Sequence, residues 1–286
     1  MTEINQEKHK KKTKGCLIIV IITAVLLLIS ISVAIYFTSH KLLLLIQENE
    51  EAANNLIKQS EQKIIQTAQS MTRSAEELEK SLDALSKSDD IQKLSSEDNE
   101  EAVENVRKAF QNYKETHQET KAVFIGTADK EMYLYPQMEL PRDYDPTSRS
   151  WYTNALDKNG FTWSEPYVDA VTGEAIISLS FPVLDKDELI GVIAFDLNMD
   201  LIAEEIKEMK LGTNGYMMIT DQNGIVIMHP DKALIGMPIP SDALKSLSDV
   251  GDTGLVKYTY QEVDQIAAYS KIDKMNLILI GVIENK

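Results

Sequence analysis

The sequence predicts an α+β protein with an N-terminal transmembrane helix, a long helix after it, and two tandem modules built on antiparallel sheets. Three observations predict this fold. An uncharged run covers residues 16–37, residues 39–87 contain neither proline nor glycine, and short apolar runs separated by turn residues follow from residue 122 onward. Long stretches of three-and-four periodicity favour helices, whereas short runs between turns favour antiparallel strands.

Composition excludes several functional classes. The chain has 286 residues, 43% of them hydrophobic, and a net charge of −16. Such an acidic protein is a poor candidate for binding nucleic acid or anionic lipid. The single cysteine, Cys16, allows no intramolecular disulfide, and the four histidines are scattered without a metalloprotease, phosphate-loop or nucleophile-elbow motif. We therefore expect no metal, no cofactor and no enzymatic activity.

The N-terminus predicts a membrane anchor. Residues 1–15 form a basic tail, in which five lysines and two glutamates give +3 and leave −19 for the rest. Residues 16–37 would span roughly 33 Å as a helix, enough to cross the hydrocarbon core. Lysines before the segment indicate a cytoplasmic N-terminus and an extracytoplasmic domain. A cleavable signal peptide is the alternative, although its apolar region is usually shorter.

Residues 38–117 predict two helices. In residues 39–87, apolar or small residues recur every three or four positions, including Leu42, Leu45, Ile64, Leu78 and Leu82. Such a stripe suits packing against a domain or against a second copy of the helix. A second helix is predicted from Ser96 to about His117 because acidic residues fill its first turn.

Residues 118–200 predict the first sheet module. Its elements are a hairpin (Ala122–Gly126 and Glu131–Tyr135), a helix capped by Thr147 or Ser148 and ending at Asn159-Gly160, a strand at Phe161–Val168, and strands at Ala175–Leu184 and Leu189–Asn198. Residues 201–286 predict the second module, after a connecting helix at Asp200–Lys210. Its elements are strands at Gly215–Thr220, Ile225–His229, Gly254–Tyr260, Gln265–Ser270 and Asn276–Ile283, and a helix at Ser241–Ser248.

The residue types in the first module fit a zwitterion. The set is Tyr144, Arg149, Trp151, Tyr152, Tyr167, Asp169 and Asp196. A carboxylate is best held by the bidentate guanidinium of an arginine, and an ammonium by carboxylates and aromatic faces. If Phe161–Val168 and its continuation are extended, Tyr167 and Asp169 share one face. The structural alternative is that Trp151 and Tyr152 are core and that Arg149 pairs with Asp145.

These seven residues, with their spacing, resemble the amino-acid-recognition motif of double Cache domains. These domains are the extracytoplasmic sensors of bacterial chemoreceptors, sensor kinases and second-messenger enzymes, and the resemblance covers roughly residues 39–284. It implies two PAS-like modules, of which the membrane-distal one (118–200) holds the ligand and the membrane-proximal one (201–286) lacks the motif. It also implies that Arg149 and Trp151, with Tyr144, hold the α-carboxylate. Asp196 and Tyr152, with Asp169, would hold the α-ammonium, Tyr167 would line the wall, and the 39–87 helix would form a homodimer.

We therefore expect a single-pass sensor for a free L-amino acid, of the kind used in chemotaxis. The sequence ends with the last predicted strand, so the output would lie in a longer receptor, in a partner receptor or kinase, or in an uptake system. A tethered scaffold without a ligand, and a sensor for another amine or carboxylate, are the alternatives. An Asp169–Asp196 acid–base pair is the least favoured interpretation, because Arg149 and the aromatic residues favour recognition.

Overall fold

A computed structural model describes residues 2–95, 100–173, 175–212, 215–249, 251–260 and 262–284. The helices are α1 (Thr2–Ser86), α2 (Asp89–Gln92), α3 (Glu100–Thr116), α4 (Ser150–Lys158), α5 (Met199–Glu208) and α6 (Ser241–Asp249). The strands are β1 (Thr120–Thr127), β2 (Met132–Tyr135), β3 (Thr162–Trp163), β4 (Tyr167–Val168), β5 (Ala175–Ile176), β6 (Ser178–Asp185), β7 (Glu188–Leu197), β8 (Tyr216–Asp221), β9 (Val226–Met228), β10 (Thr253–Tyr260), β11 (Val263–Ile272) and β12 (Leu277–Glu284). Short 3-10 helices lie at Lys93–Ser95, Pro146–Ser148, Lys232–Leu234 and Asp273–Met275. This confirms the predicted α+β class, with an apolar N-terminal helix followed by two antiparallel sheets.

The first compact unit of the chain extends to Leu56 and contains the first part of helix α1. This helix is long and apolar enough to cross a membrane. Between Leu26 and Phe37 its large apolar side chains are exposed, and those from Leu42 to Ile46 are exposed as well. The side chains at 42 and 45 therefore pack against no part of the chain that the structure describes.

The second unit begins at Ile57 and contains the remainder of α1 together with both sheets. Here the predicted stripe is buried, at Ile64, Ala68, Ala75, Leu78 and Leu82. These positions lie on one side of a helix because their spacing is three, four or seven residues. They form one core with residues of both sheets, so the second half of α1 packs against the domain.

The first sheet has the strand order β2-β1-β7-β6-β3, and its central strand β7 is covered on both faces. Ile193 and Phe195 belong to the core that includes α1 and α3, and the Phe195 ring stacks on Tyr113 of α3 at 4.5 Å. Val192 and Ala194 face the other side, beneath helix α4. Burial on both faces explains why β7 reads as a continuous apolar run.

The second sheet has the order β10-β11-β12-β8-β9. Helix α6 covers one face through Ala243 and Leu247, which pack with Val256 and Tyr258 of β10. The other face joins the core that contains α1, through residues such as Ile219 and Leu279. The two sheets thus share the second half of α1 as a common support.

One carboxylate of α1 contacts both sheet modules. Glu79 accepts a hydrogen bond from the indole Nε1 of Trp163 on β3 at 3.0 Å. Its other oxygen pairs with the Nζ of Lys274, in the turn before β12, at 2.7 Å. This three-way contact joins the long helix, the first sheet and the second sheet at a single side chain.

Several boundaries differ from the sequence prediction. The helix predicted at 39–87 is continuous with the apolar segment before it. The predicted start of the second helix at Ser96 lies outside the described residues, and that helix is described from Glu100. The single strand predicted at Phe161–Val168 was wrong, because β3 pairs with β6 in the main sheet whereas β4 pairs with β5 in a separate hairpin. Propensity could not reveal this change of partner, which depends on tertiary pairing.

Candidate functional site

A small cavity lies on the α4 side of the first sheet. Six of the seven sequence-predicted residues line it: Tyr144, Arg149, Trp151, Tyr167, Asp169 and Asp196. Strands β1, β2 and β7 form its base, and the segments after β2 and after β4 form its outer walls. The structure thus brings a cation, two carboxylates and three aromatic rings into one enclosure.

Arg149 reaches the cavity from the start of α4. The predicted caps Thr147 and Ser148 were wrong, since Asp145 caps the preceding 3-10 turn by accepting from the Thr147 N–H at 3.0 Å, and Arg149 occupies the N-cap of α4. Asp145 is paired with Lys130 at 2.7 Å, and the alternative Arg149–Asp145 ion pair is not formed. The guanidinium carbon of Arg149 lies 5.7 Å from the centre of the Tyr144 ring, within cation–π range. With the residues that the structure describes, this guanidinium forms no ion pair or hydrogen bond.

Asp196 lies at the end of β7, where the sheet places it between Ala122 of β1 and Ser178 of β6. It is 6% exposed. The Ser178 hydroxyl donates to its Oδ1, and the Tyr167 hydroxyl lies 2.8 Å from Ser178 Oγ. Burial raises the pKa of Asp196 to about 7, against the opposing effect of the Ser178 hydrogen bond, and nearby Asp169 raises it further. A ligand cation beside this carboxyl would stabilise its ionised form.

Asp169 reaches the cavity from a turn. Because β4 ends at Val168, the predicted sharing of one strand face by Tyr167 and Asp169 was wrong, although both residues line the cavity. Partial burial of Asp169 disfavours its charge, but the Thr172 and Val171 N–H groups donate to Oδ1 and the pKa of the carboxyl is lowered. Asp169 is therefore a fixed anion that also holds its own turn.

Trp151 and Tyr152, at the start of α4, lie in different environments. Trp151 is buried in the core with Phe124 and also lines the cavity. Tyr152 is 2% exposed and does not line the cavity. Its hydroxyl has no hydrogen-bond partner among the described residues, and burial together with Asp145 and Asp129 raises its pKa. The structure therefore places Tyr152 beside Trp151, with ring centres 5.5 Å apart, rather than beside Asp196.

Two polar residues near the site were missed by sequence reasoning. Ser178 bridges Tyr167 to Asp196, and Lys121 lies close enough to lower the pKa of both aspartates. Lys121 sits at a β-bulge of β1, where the register against β7 shifts between Thr120 and Ala122. A bulge redirects a side chain that simple alternation would place on the other face. No sequence pattern marks this bulge, and Ser178 is ordinary for an inward-facing strand position.

The cavity measures about 30 Å³. About 10–15 Å³ of such space is enough for one water molecule, so the cavity is small for a ligand. An amino acid would therefore enlarge the cavity by displacing part of the wall. The strands are held by their ladders, whereas the segments carrying Met138, Arg149 and Asp169 are irregular and can yield more easily.

Comparison with known proteins identifies the family. The family model for the Cache domain matches residues 49–286. Among curated proteins, the chain is 35% identical over 172 residues to the methyl-accepting chemotaxis protein McpC of Bacillus subtilis, covering 54% of this chain and 26% of McpC. It is 36% identical over 115 residues to TlpB of the same organism, covering 40% of this chain and 17% of TlpB. The matched part thus spans about a quarter or less of these relatives.

Solved structures share the fold. The ligand-binding domain of the Pseudomonas fluorescens chemoreceptor CtaA in complex with L-serine superposes with a TM-score of 0.65 at 21% identity, over 81% of this chain and 98% of that one. The corresponding domain of the Campylobacter jejuni chemoreceptor Tlp3, in complex with 4-methylisoleucine, gives 0.66 at 20% identity, over 81% of this chain and 91% of that one. Because the family model matches most of its length, the chain belongs to the double Cache domain family.

Proposed function

We propose that this chain is a membrane-anchored extracytoplasmic sensor that binds a free L-amino acid in the cavity of the first sheet. The observation that carries the proposal is the charge pattern of that cavity. Arg149 makes no ion pair within the described part of the chain, yet it shares an enclosed space with Asp169 and Asp196. One cation and two anions around a small space match an α-carboxylate and an α-ammonium.

In this proposal the ligand lies across the cavity. Its carboxylate contacts Arg149, with the Trp151 indole and the Tyr144 hydroxyl beside it. Its ammonium contacts Asp196 and Asp169, and Tyr167 closes the wall. Charge-assisted hydrogen bonds contribute roughly 1.5–3 kcal/mol each, so four of them could support a micromolar complex, which needs about 8 kcal/mol. Tyr152 supports this arrangement by packing on Trp151.

Binding would require a conformational change, because the cavity holds only about 30 Å³. A ligand shifts the balance between a closed and an open form by its differential affinity for the two. Such a shift could reach α1 through the sheet that packs on it. The same proposal includes a homodimer formed through α1 and an N-terminus in the cytoplasm. It also includes output by a partner receptor or kinase, or by a further domain of a longer receptor. The curated relatives, which are methyl-accepting chemotaxis proteins, support it.

The test is titration calorimetry of the detergent-solubilised chain with each of the twenty amino acids. Arg149→Ala should weaken binding by about 100-fold or more, because two charge-assisted hydrogen bonds are lost. Arg149→Lys should weaken it by about tenfold, since an ammonium keeps the charge without the bidentate geometry. Arg142→Ala is the matched control, because Arg142 is exposed in the same segment and does not line the cavity. If the folded wild-type protein binds none of the twenty, the proposal is overturned and a tethered scaffold remains.

A further inference from the structure

The cavity is lined by a few charged side chains and by a larger number of apolar ones. Among the described residues that line it, charges are confined to Arg149, Asp169 and Asp196. The apolar lining includes Phe124, Met132, Leu134, Met138, Leu140 and Val171. Apart from Val171, these apolar residues come from β1, β2 and the stretch directly after β2, so a ligand with its backbone groups at the charges would direct its side chain against hydrocarbon.

The sheet provides a rigid part of this apolar surface. Leu134 of β2 is paired with Phe124 of β1, and Met132 two residues earlier is paired with Gly126. Residues two apart on a strand share a face, so Met132 and Leu134 lie on the α4 side, where both pack with the core of that face. Their position is fixed by the strand ladder.

The segment after β2 provides the opposing surface. Met138 and Leu140 are half-buried, whereas Gln137, Glu139 and Pro141 between and around them are exposed. This alternation is the pattern of an extended segment with one face on the cavity. Both inward residues are flexible and apolar, and methionine in particular adapts to ligands of irregular shape. The outward residues face solvent.

The charge balance restricts the ligand further. An α-carboxylate and an α-ammonium would occupy Arg149 and the two aspartates, which leaves no charged partner on the described wall for a third polar group. A charged or amide side chain would then lose its water without gaining a charged partner on the described wall, which is costly in a largely apolar site. An aliphatic side chain gains affinity instead, by about fourfold for each buried methylene.

We propose that the ligand is an amino acid with an aliphatic or thioether side chain, in the range from valine to methionine, and that Met138 and Leu140 determine this preference. The inference rests on the proposed function, because it assigns the side-chain end of the same site. It follows from the apolar lining rather than from the charges that carry the proposed function, so the two can fail separately.

The test compares ligands of matched size by calorimetry on the solubilised chain. Leucine should bind at least tenfold more tightly than asparagine or aspartate, and methionine at least tenfold more tightly than glutamine or lysine. If amino acids bind but the polar member of each pair binds as tightly as the apolar one, the inference is overturned while the proposed function stands. If no amino acid binds, the proposed function fails and takes the inference with it.

A substitution then tests the assigned residues. Met138→Lys should weaken leucine binding by tenfold or more and should narrow or reverse the leucine-to-aspartate ratio, because it places a cation beside the ligand side chain. Gln137→Lys introduces the same charge one residue earlier on the exposed side and should leave the ratio within threefold of wild type. Equal ratios in the two variants would remove Met138 from its assigned role. Thermal unfolding of each variant verifies that it is folded.

Discussion

The three-way contact at Glu79 offers the sharpest test of how the domain is held together. The Glu79 side chain is 13% exposed and that of its partner Lys274 is 32% exposed. The indole of Trp163 donates to the same carboxylate from a residue only 5% exposed. Glu79→Ala removes both contacts and leaves a buried indole N–H without an acceptor.

The expected cost follows from these contacts. Loss of the partly exposed ion pair costs about 1 kcal/mol, and an orphaned buried donor costs about 1–3 kcal/mol more. Glu79→Ala should therefore destabilise the domain by about 3 kcal/mol. For a domain of this size that corresponds to a Tm lower by about 6–12 °C. Glu79→Gln keeps an acceptor for Trp163 and should lower Tm by only about 2–4 °C.

The assay is thermal unfolding of the solubilised chain followed by tryptophan fluorescence, since Trp151 and Trp163 are the two tryptophans and both lie in the first module. Glu76→Ala is the control, because Glu76 is an exposed glutamate three residues earlier on α1. If Glu79→Ala lowers Tm no more than Glu76→Ala does, or no more than Glu79→Gln does, the three-way contact is not what stabilises the domain.

Further predictions concern the pH dependence set by Asp196 and the substitution of Gly126 and of Tyr152. Because burial raises the pKa of Asp196 to about 7 from its usual value near 3.8, the folded protein holds an extra proton between those values, and its stability should fall as pH rises from about 4 to 7. Asp196→Asn should abolish that dependence and raise Tm most above pH 7. The affinity of the wild-type protein for its amino acid should fall about tenfold per pH unit below 7, which titrations at pH 5, 6 and 8 would measure. Asp169 and Lys121 also act on the Asp196 carboxyl. An affinity that does not change with pH would contradict the contact between Asp196 and the ligand's ammonium. Gly126→Ala would place a methyl group 2.7 Å from Pro146 Cβ and 3.0 Å from the Trp151 ring. We therefore expect the free energy of unfolding, measured in urea, to fall by about 1–3 kcal/mol and ligand binding to weaken. An unchanged urea midpoint would show that the segment carrying Pro146 and Trp151 shifts freely. Tyr152→Phe removes a buried hydroxyl that has no described partner, so it should raise the unfolding free energy by about 1 kcal/mol and leave affinity within threefold, whereas a tenfold loss of affinity would restore this residue to the ammonium contact.

The sequence by itself determined the elements and the chemical groups of the candidate site. The apolar run of α1, the three-and-four periodicity after it and the short strands between turns are local patterns, and local patterns are read from neighbouring residues. Arg149 and Asp196 were predicted to hold a zwitterion from their side-chain chemistry and from the resemblance to double Cache domains, and the structure brings both to one cavity.

The tertiary structure alone decided how those groups act. Pairing of β4 with β5 put Asp169 in a turn, and a bulge in β1 brought Lys121 toward the aspartates. Burial raised the pKa of Asp196, and Tyr152 is buried beside Trp151 without lining the cavity. Each of these results depends on contacts between residues far apart in the chain, and desolvation and strand partners are properties of such contacts. The sequence gives the type and order of the residues, but the distances between their side chains depend on the tertiary structure.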